Sequence, residues 1–191
     1  MYKLCKTEQS ATRQRELEQK LMQLMNIKRY EDISVSDFCS FAGIPRKAFY
    51  RYFSGKDGAL YALIDHTLME YVQFRIPYLQ ENPQDLIREL ECFFGFWQIQ
   101  KPLLDALKLN GLSGVLLDRV SHSLQELSLN RMKSGENEFF HRQIVWFAVS
   151  GIMTMVINWH NDGLRESAWA MAAVTGRILN TKLSDSVRGL L

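Results

Sequence analysis

The chain has 191 residues, 47% of them hydrophobic, with 23 Lys and Arg against 21 Asp and Glu. That length and apolar content suit one compact unit or two small ones with a buried core, and they exclude a disordered tail. The net charge of +2 does not point to nucleic acid by itself, but residues 1–60 hold eleven Lys and Arg against seven Asp and Glu, which leaves −2 to the remainder. A polyanionic partner therefore belongs at the front.

Cys5, Cys39 and Cys92 are odd in number and widely spaced, and they match no metal-ligand or redox spacing. Reduced thiols in a cytoplasmic protein are expected. The N-terminal MYKLCKTEQSATRQRE lacks an apolar signal core, and the most apolar later stretch, Ile144 to Trp159, is interrupted by Ser150, Thr154 and Asn158. Neither secretion nor membrane spanning is expected.

Apolar residues recur at three- and four-residue spacing and no alternating window persists, so the predicted fold class is all-α, with about nine helices. Leu17, Leu21 and Leu24 mark the first. The second is short: Ser34 and Asp37 have capping-box spacing, Val35, Phe38, Cys39 and Ala42 share a face, and Gly43 ends it. Pro45 suits the first position of a third helix, RKAFYRYF, with Phe49 and Phe53 one turn apart. Ser54 and Asp57 resemble another capping box, opening a fourth helix that carries Leu60, Leu63, Ile64, Leu68 and Tyr71 and stops before Pro77.

Further on, Asn82-Pro83 reads as the cap of a helix carrying Leu86, Leu90, Phe93 and Trp97, and Pro102 as the opening of a short one. Ser113 to Lys133 reads as another. After an SGEN turn, a long helix runs from Asn137 to His160, closed by Asn161-Asp162-Gly163, and Ser167 caps the last. The expected organisation is a helix-turn-helix domain at 1–53, a linking helix at 54–75 and a second domain at 76–191.

Ile44 to Lys56 holds Arg46, Lys47, Arg51 and Lys56 without an acidic residue, interleaved with Phe49, Tyr50, Tyr52 and Phe53. On a helix Phe49 and Phe53 point into a small core while Arg46, Lys47 and Tyr50 point outward. Such a face can enter a major groove, or it can be a solvated surface over a core. Arg and Lys pair equally with base edges and phosphates, and Lys56 opens a helix whose free N–H groups favour an anion.

The segment SVSDFCSFAGIPRKAFYRYFSGKDGAL, Ser34 to Leu60, resembles the helix-turn-helix signature of the TetR/AcrR family of transcriptional regulators. The resemblance implies that Arg46 and Lys47 contact bases, that Tyr50, Tyr52 and Lys56 hold phosphates with Arg51 beside them, and that Ser34 caps the second helix and touches the DNA backbone. Pro45 departs from the family's usual Ser or Thr cap, and Arg29 stands where a Gly commonly follows the first helix.

In the second half, FAVSGIMTMVINWHNDG and SAWAMAAVTGRIL resemble the paired last helices that form the family's four-helix dimer interface. Ala148, Gly151, Met155, Trp159, Trp169, Ala172, Ala173 and Gly176 are the expected interface residues, small ones allowing close approach. Phe93, Phe94, Trp97, His122, Trp146 and Met153 are candidates to line a pocket for a small apolar effector, or else plain core. The resemblance implies a homodimeric repressor on a palindromic operator in double-stranded DNA, released by its effector. Its rival is a relative acting as a co-activator through a protein partner, against which Arg46, Lys47 and Lys56 argue. No metal, cofactor or catalytic constellation is expected: the four histidines lack ligand spacing, Gly55-Lys56 is followed by Asp57 where a phosphate loop needs Ser or Thr, and no nucleophile motif occurs.

Overall fold

A computed structural model describes residues 1–81, 85–129 and 137–180. Among them the chain forms α1 (Glu8–Met25), a 3-10 turn (Tyr30–Asp32), α2 (Val35–Ala42), α3 (Arg46–Tyr52), α4 (Lys56–Phe74) and α5 (Ile76–Glu81). It continues with α6 (Leu86–Ile99), α7 (Lys101–Leu109), α8 (Ser113–Leu129), α9 (Glu138–Asn161) and α10 (Ala168–Asn180). The all-α expectation holds, and the helix beyond the expected nine is α5. It follows the stop at Phe74 and carries Pro77 in its first turn, where a missing N–H leaves no bond unmade.

Capping explains several boundaries. Thr7 accepts from the Ser10 amide at 3.3 Å, Ser34 and Asp37 form the complete capping box, and Ser167 accepts from Ala170 at 3.1 Å. Gly43 adopts φ 65°, the left-handed conformation that ends α2 without a Cβ penalty. Two expectations need correction. Pro45 is the cap of α3, not its first residue. Ser54 and Asp57 form no capping box: Ser54 Oγ donates to the Met1 carbonyl, and Asp57 Oδ1 accepts from the Tyr30 hydroxyl at 2.7 Å. Arg29 needs no glycine-like geometry, since its φ is −58°. Asn82-Pro83, the end of the Ser113 to Lys133 helix and most of the SGEN turn lie outside the described residues. The cap at the start of α6 is Asp85, whose carboxylate accepts from Ile87 and Arg88 at 3.0 and 3.2 Å.

The chain divides into two compact units, the first comprising Met1–Met69 and Pro102–Ser150, the second Glu70–Lys101 and the described residues from Gly151 on. In the first unit Leu17, Leu21, Met25, Ile33, Phe38, Phe49 and Phe53 form a dry core shared by α1, α2 and α3. Three rings interlock there: Phe49 lies 5.3 Å from both Phe38 and Phe53 in edge and tilted geometries. Asn110, just past α7, ties in the turn after α1, its Nδ2 donating to the Met25 carbonyl at 3.0 Å and its Oδ1 accepting from the Tyr30 amide at 2.6 Å.

Arg119 of α8 grips Asp65 of α4 through two parallel hydrogen bonds, the Nε–Oδ1 one at 2.8 Å, with Tyr61 under the guanidinium. Glu18 on α1, almost wholly buried, meets His66 Nδ1 at 2.8 Å. In the second unit α6 packs on α10 closely enough that a Cβ on Gly176 would lie 2.3 Å from Ile87 Cδ1. Phe94, Trp97, Met153, Val156, Trp159 and Ala172 fill its core.

Candidate nucleic-acid interface

α3 is built to show one face and hide the other. Phe49 and Phe53 are 0% exposed, whereas Tyr50 is 41% exposed and Arg46, Lys47 and Arg51 are open to solvent. The buried rings fix the helix on α1 and α2, so the cations project from a rigid element. Arg46 is itself oriented: its guanidinium donates to Ser36 Oγ of α2 at 3.3 Å and to the Tyr50 hydroxyl at 3.4 Å. The Tyr50 hydroxyl beside it pushes Arg46 up from an already high value, so the residue is a permanent cation. Tyr52 is half-buried, its ring 6.1 Å from that of Phe53.

The flanks of the motif are more committed to the fold than the sequence suggests. The Ser34 hydroxyl accepts from the Asp37 amide at 3.1 Å and donates to Asp37 Oδ2 at 2.6 Å. The Ser34 hydroxyl and amide, with Lys28 at 2.9 Å, hold the Asp37 carboxyl far below the usual carboxylate range, and Lys28 offsets its charge on this face. Lys56 Nζ donates to the Tyr30 and Glu31 carbonyls at 2.8 and 2.9 Å and lies 4.7 Å from the Tyr30 ring. It latches the start of α4 to the α1–α2 turn, and one of its three N–H donors is left for an anion.

The other sequence candidates scatter. His122 and Trp146 belong to the first unit, on an open cleft of about 350 Å³ shared with Asp118, Ser121 and Ser150. Phe93, Phe94, Trp97 and Met153 belong to the second unit, where Phe94, Trp97 and Met153 are buried and Phe93 is half-buried. Of the candidate interface residues, Trp159, Ala172 and Gly176 are turned into the second unit's own core. Trp159 stacks edge-on to Phe94 at 5.7 Å and donates to the Glu166 carbonyl at 3.1 Å. Trp169 and Gly151 are exposed, and Ala148, Met155 and Ala173 are half-buried. Sequence reading missed Tyr2 and Lys3, which lie against the end of α3, and the Asp65–Arg119 pair. An Asp and a Glu inside apolar helical stripes, Asp65 and Glu18, were the available signal for the buried polar pairs.

No family model matches the chain. Its sequence is 38% identical over 66 residues to the HTH-type transcriptional regulator EthR of Mycobacterium tuberculosis, a match covering 35% of this chain and 30% of that protein. The chain thus spans about a third of the length of the curated relatives it matches. Among solved structures it resembles the dihydroxyacetone kinase operon activator DhaS, with a TM-score of 0.56, 16% identity, and coverage of 87% of this chain and 93% of the other. It also resembles a TetR-like transcriptional regulator from Rhodococcus sp. RHA1, with a TM-score of 0.54, 19% identity, and coverage of 94% of this chain and 100% of the other. The proteins it resembles are transcriptional regulators, not enzymes. The chain shares the fold of these regulators over nearly its whole length, and over 66 residues it is similar to EthR in sequence.

Proposed function

We propose that this protein regulates transcription by binding double-stranded DNA as a homodimer, α3 entering the major groove of each half-site. The observation that carries this reading is the exposed cationic face of α3, Arg46, Lys47 and Arg51 with Tyr50, held rigid by the wholly buried Phe49 and Phe53. Arg46 and Lys47 read base edges, while Tyr50, Arg51, Tyr52, the Ser34 corner and the free donor of Lys56 position the phosphates.

The dimer forms through the outer faces of α9 and α10. Trp169, Val174 and Ile178 are exposed there beside Gly151, Met155 and Ala173, and an apolar surface of that kind is sticky in a monomer. The segment Glu138–Asn161 is long and apolar enough to cross a membrane, and only 11% of its apolar window is buried within the chain, a face that a second copy would cover. Twofold symmetry makes the operator palindromic.

The effector is a small apolar molecule with at least one hydrogen-bond acceptor, bound in the aromatic core of the second unit. Phe93 lies 5.4 Å from Tyr71 and 6.3 Å from Trp97, whose buried indole N–H has no partner among the described residues. Buried donors are normally paired, so an acceptor on the ligand would be favoured there. The effector releases the operator by binding better to a conformer whose recognition helices are wrongly spaced. Titrating a labelled duplex from upstream of the protein's own gene, across a salt series, tests the reading. A specific, salt-dependent complex weakened more by Arg46→Ala than by Lys56→Ala supports it. Binding no tighter than to random duplex points instead to a relative acting through a protein partner.

A further inference from the structure

Residues 1–5 are the least motif-like part of the chain, yet they are fastened to the recognition helix. Tyr2 and Phe53 form an antiparallel bridge. The Lys3 amide donates to the Tyr52 carbonyl at 2.9 Å, and the Lys3 ammonium donates to the Tyr50 carbonyl at 3.0 Å. On the other side Gln14 of α1 donates to the Lys3 carbonyl at 3.3 Å, and the Tyr2 ring stands edge-on to His66 of α4 at 5.3 Å. The strap lies so close to α4 that a Cβ on Gly58 would come 2.3 Å from the Met1 carbonyl oxygen, a backbone atom with little freedom to yield.

The end of α3 is where a DNA reader has an electrostatic difficulty. The last carbonyls of a helix are unpaired and carry the negative end of its dipole, which repels phosphate. α3 has seven residues, Arg46–Tyr52, so Tyr50 itself lies in the last turn. Lys3 answers two of those carbonyls with donors and brings a positive charge to the same spot. An ammonium has three donors, and the contact with Tyr50 uses one of them.

We propose that residues 1–5 are part of the DNA-binding surface: the strap holds the C-terminal end of α3 in place, and Lys3 supplies a phosphate contact there. This rests on the reading of α3 as the DNA-binding helix. Gly58 is the device that admits the strap, because any side chain at that position would push it off α4.

The test uses full-length protein and a labelled duplex obtained by selection on the wild type, with a random duplex of equal length as control. Lys3→Gln is expected to lower the slope of log affinity against log salt by about one per protomer. Gly58→Ala is expected to weaken specific binding about tenfold while the melting temperature holds or rises, since Ala is the better helix former. In the double variant the two losses are expected to overlap, because a displaced strap has already removed Lys3 from the DNA. Additive losses, or single variants that bind with wild-type affinity and salt slope, would overturn the proposal. If the wild type selects no duplex at all, the reading of α3 fails and takes this proposal with it, an outcome distinct from a binding wild type with indifferent variants.

Discussion

Replacing Arg119 by Met should expose how firmly α8 is tied to the helix-turn-helix unit. Asp65 is only 7% exposed and is gripped by the Arg119 guanidinium, through Nε at 2.8 Å and through Nη2, with the Tyr2 phenol hydrogen-bonded beside it. Removing one partner of a buried pair costs about 3–5 kcal/mol, because the other charge stays buried. The Arg119 side chain is 30% exposed, so water can reach the vacated position. The lower end, about 3 kcal/mol, is therefore expected. For a chain of this size that corresponds to a fall in melting temperature of roughly 6–12 °C. The double variant Arg119→Met, Asp65→Asn should recover most of the loss, since neither a charge nor its counter-charge then remains. Melting followed by circular dichroism at pH 7 compares both single variants and the double with wild type. An Arg119→Met protein melting within about 2 °C of wild type, or a double variant as unstable as the sum of the singles, would refute the reasoning.

Burial pushes the Tyr2 and Tyr71 phenols up to about 12, aided for Tyr2 by Asp65 and for Tyr71 by Cys92, and burial pushes Tyr30 higher still with help from Asp57. In the unfolded chain these groups ionise near their ordinary value of about 10, so the folded state is the one that keeps the protons. Their contribution is fully present below about pH 10 and is lost as pH rises towards 12. Absorbance at 295 nm should accordingly show part of the tyrosines titrating only together with loss of helix. Cys39 and Cys92 are buried, and burial holds the Cys92 thiol at about 11, whereas Cys5 is partly accessible. A disulfide reagent at pH 8 is expected to label one thiol in the native protein and all three in denaturant; rapid native labelling of Cys92 would contradict the packing of α6. Gly176→Val forces branched atoms onto Ile87 and should cost about 1–3 kcal/mol, which Ile87→Ala should partly restore, as a melting series can establish.

The helix-turn-helix was legible because its determinants are local. The Ser34–Asp37 capping box, the Gly43 stop and the four-residue spacing of Phe49 and Phe53 follow from side chains acting within a few residues of one another. Contacts between distant segments were not legible. Lys56 gave an anion-site signal at the mouth of α4, but two of its donors go to carbonyls some 25 residues away. Ser54 turns to the N-terminal strap and Asp57 to the Tyr30 hydroxyl for the same reason. In the second unit, the small residues of α10 signalled close packing but were assigned to a second copy: Ala172 and Gly176 are instead buried within the same chain, Gly176 against Ile87 of α6, leaving Trp169 and Val174 outward. Periodicity shows that a face is buried but not by what.

Whether α3 reads DNA in a twofold dimer is decided by selection from a random-sequence duplex library with the full-length protein, followed by sequencing of the bound pool. Enrichment of an inverted repeat is expected, its half-site centres about one helical turn, roughly 34 Å, or a multiple of it apart. Arg46→Ala is expected to relax the preference at symmetric positions in both halves. A bound pool with no enriched sequence, or one whose enrichment survives Arg46→Ala and Lys47→Ala together, would contradict this reading of α3.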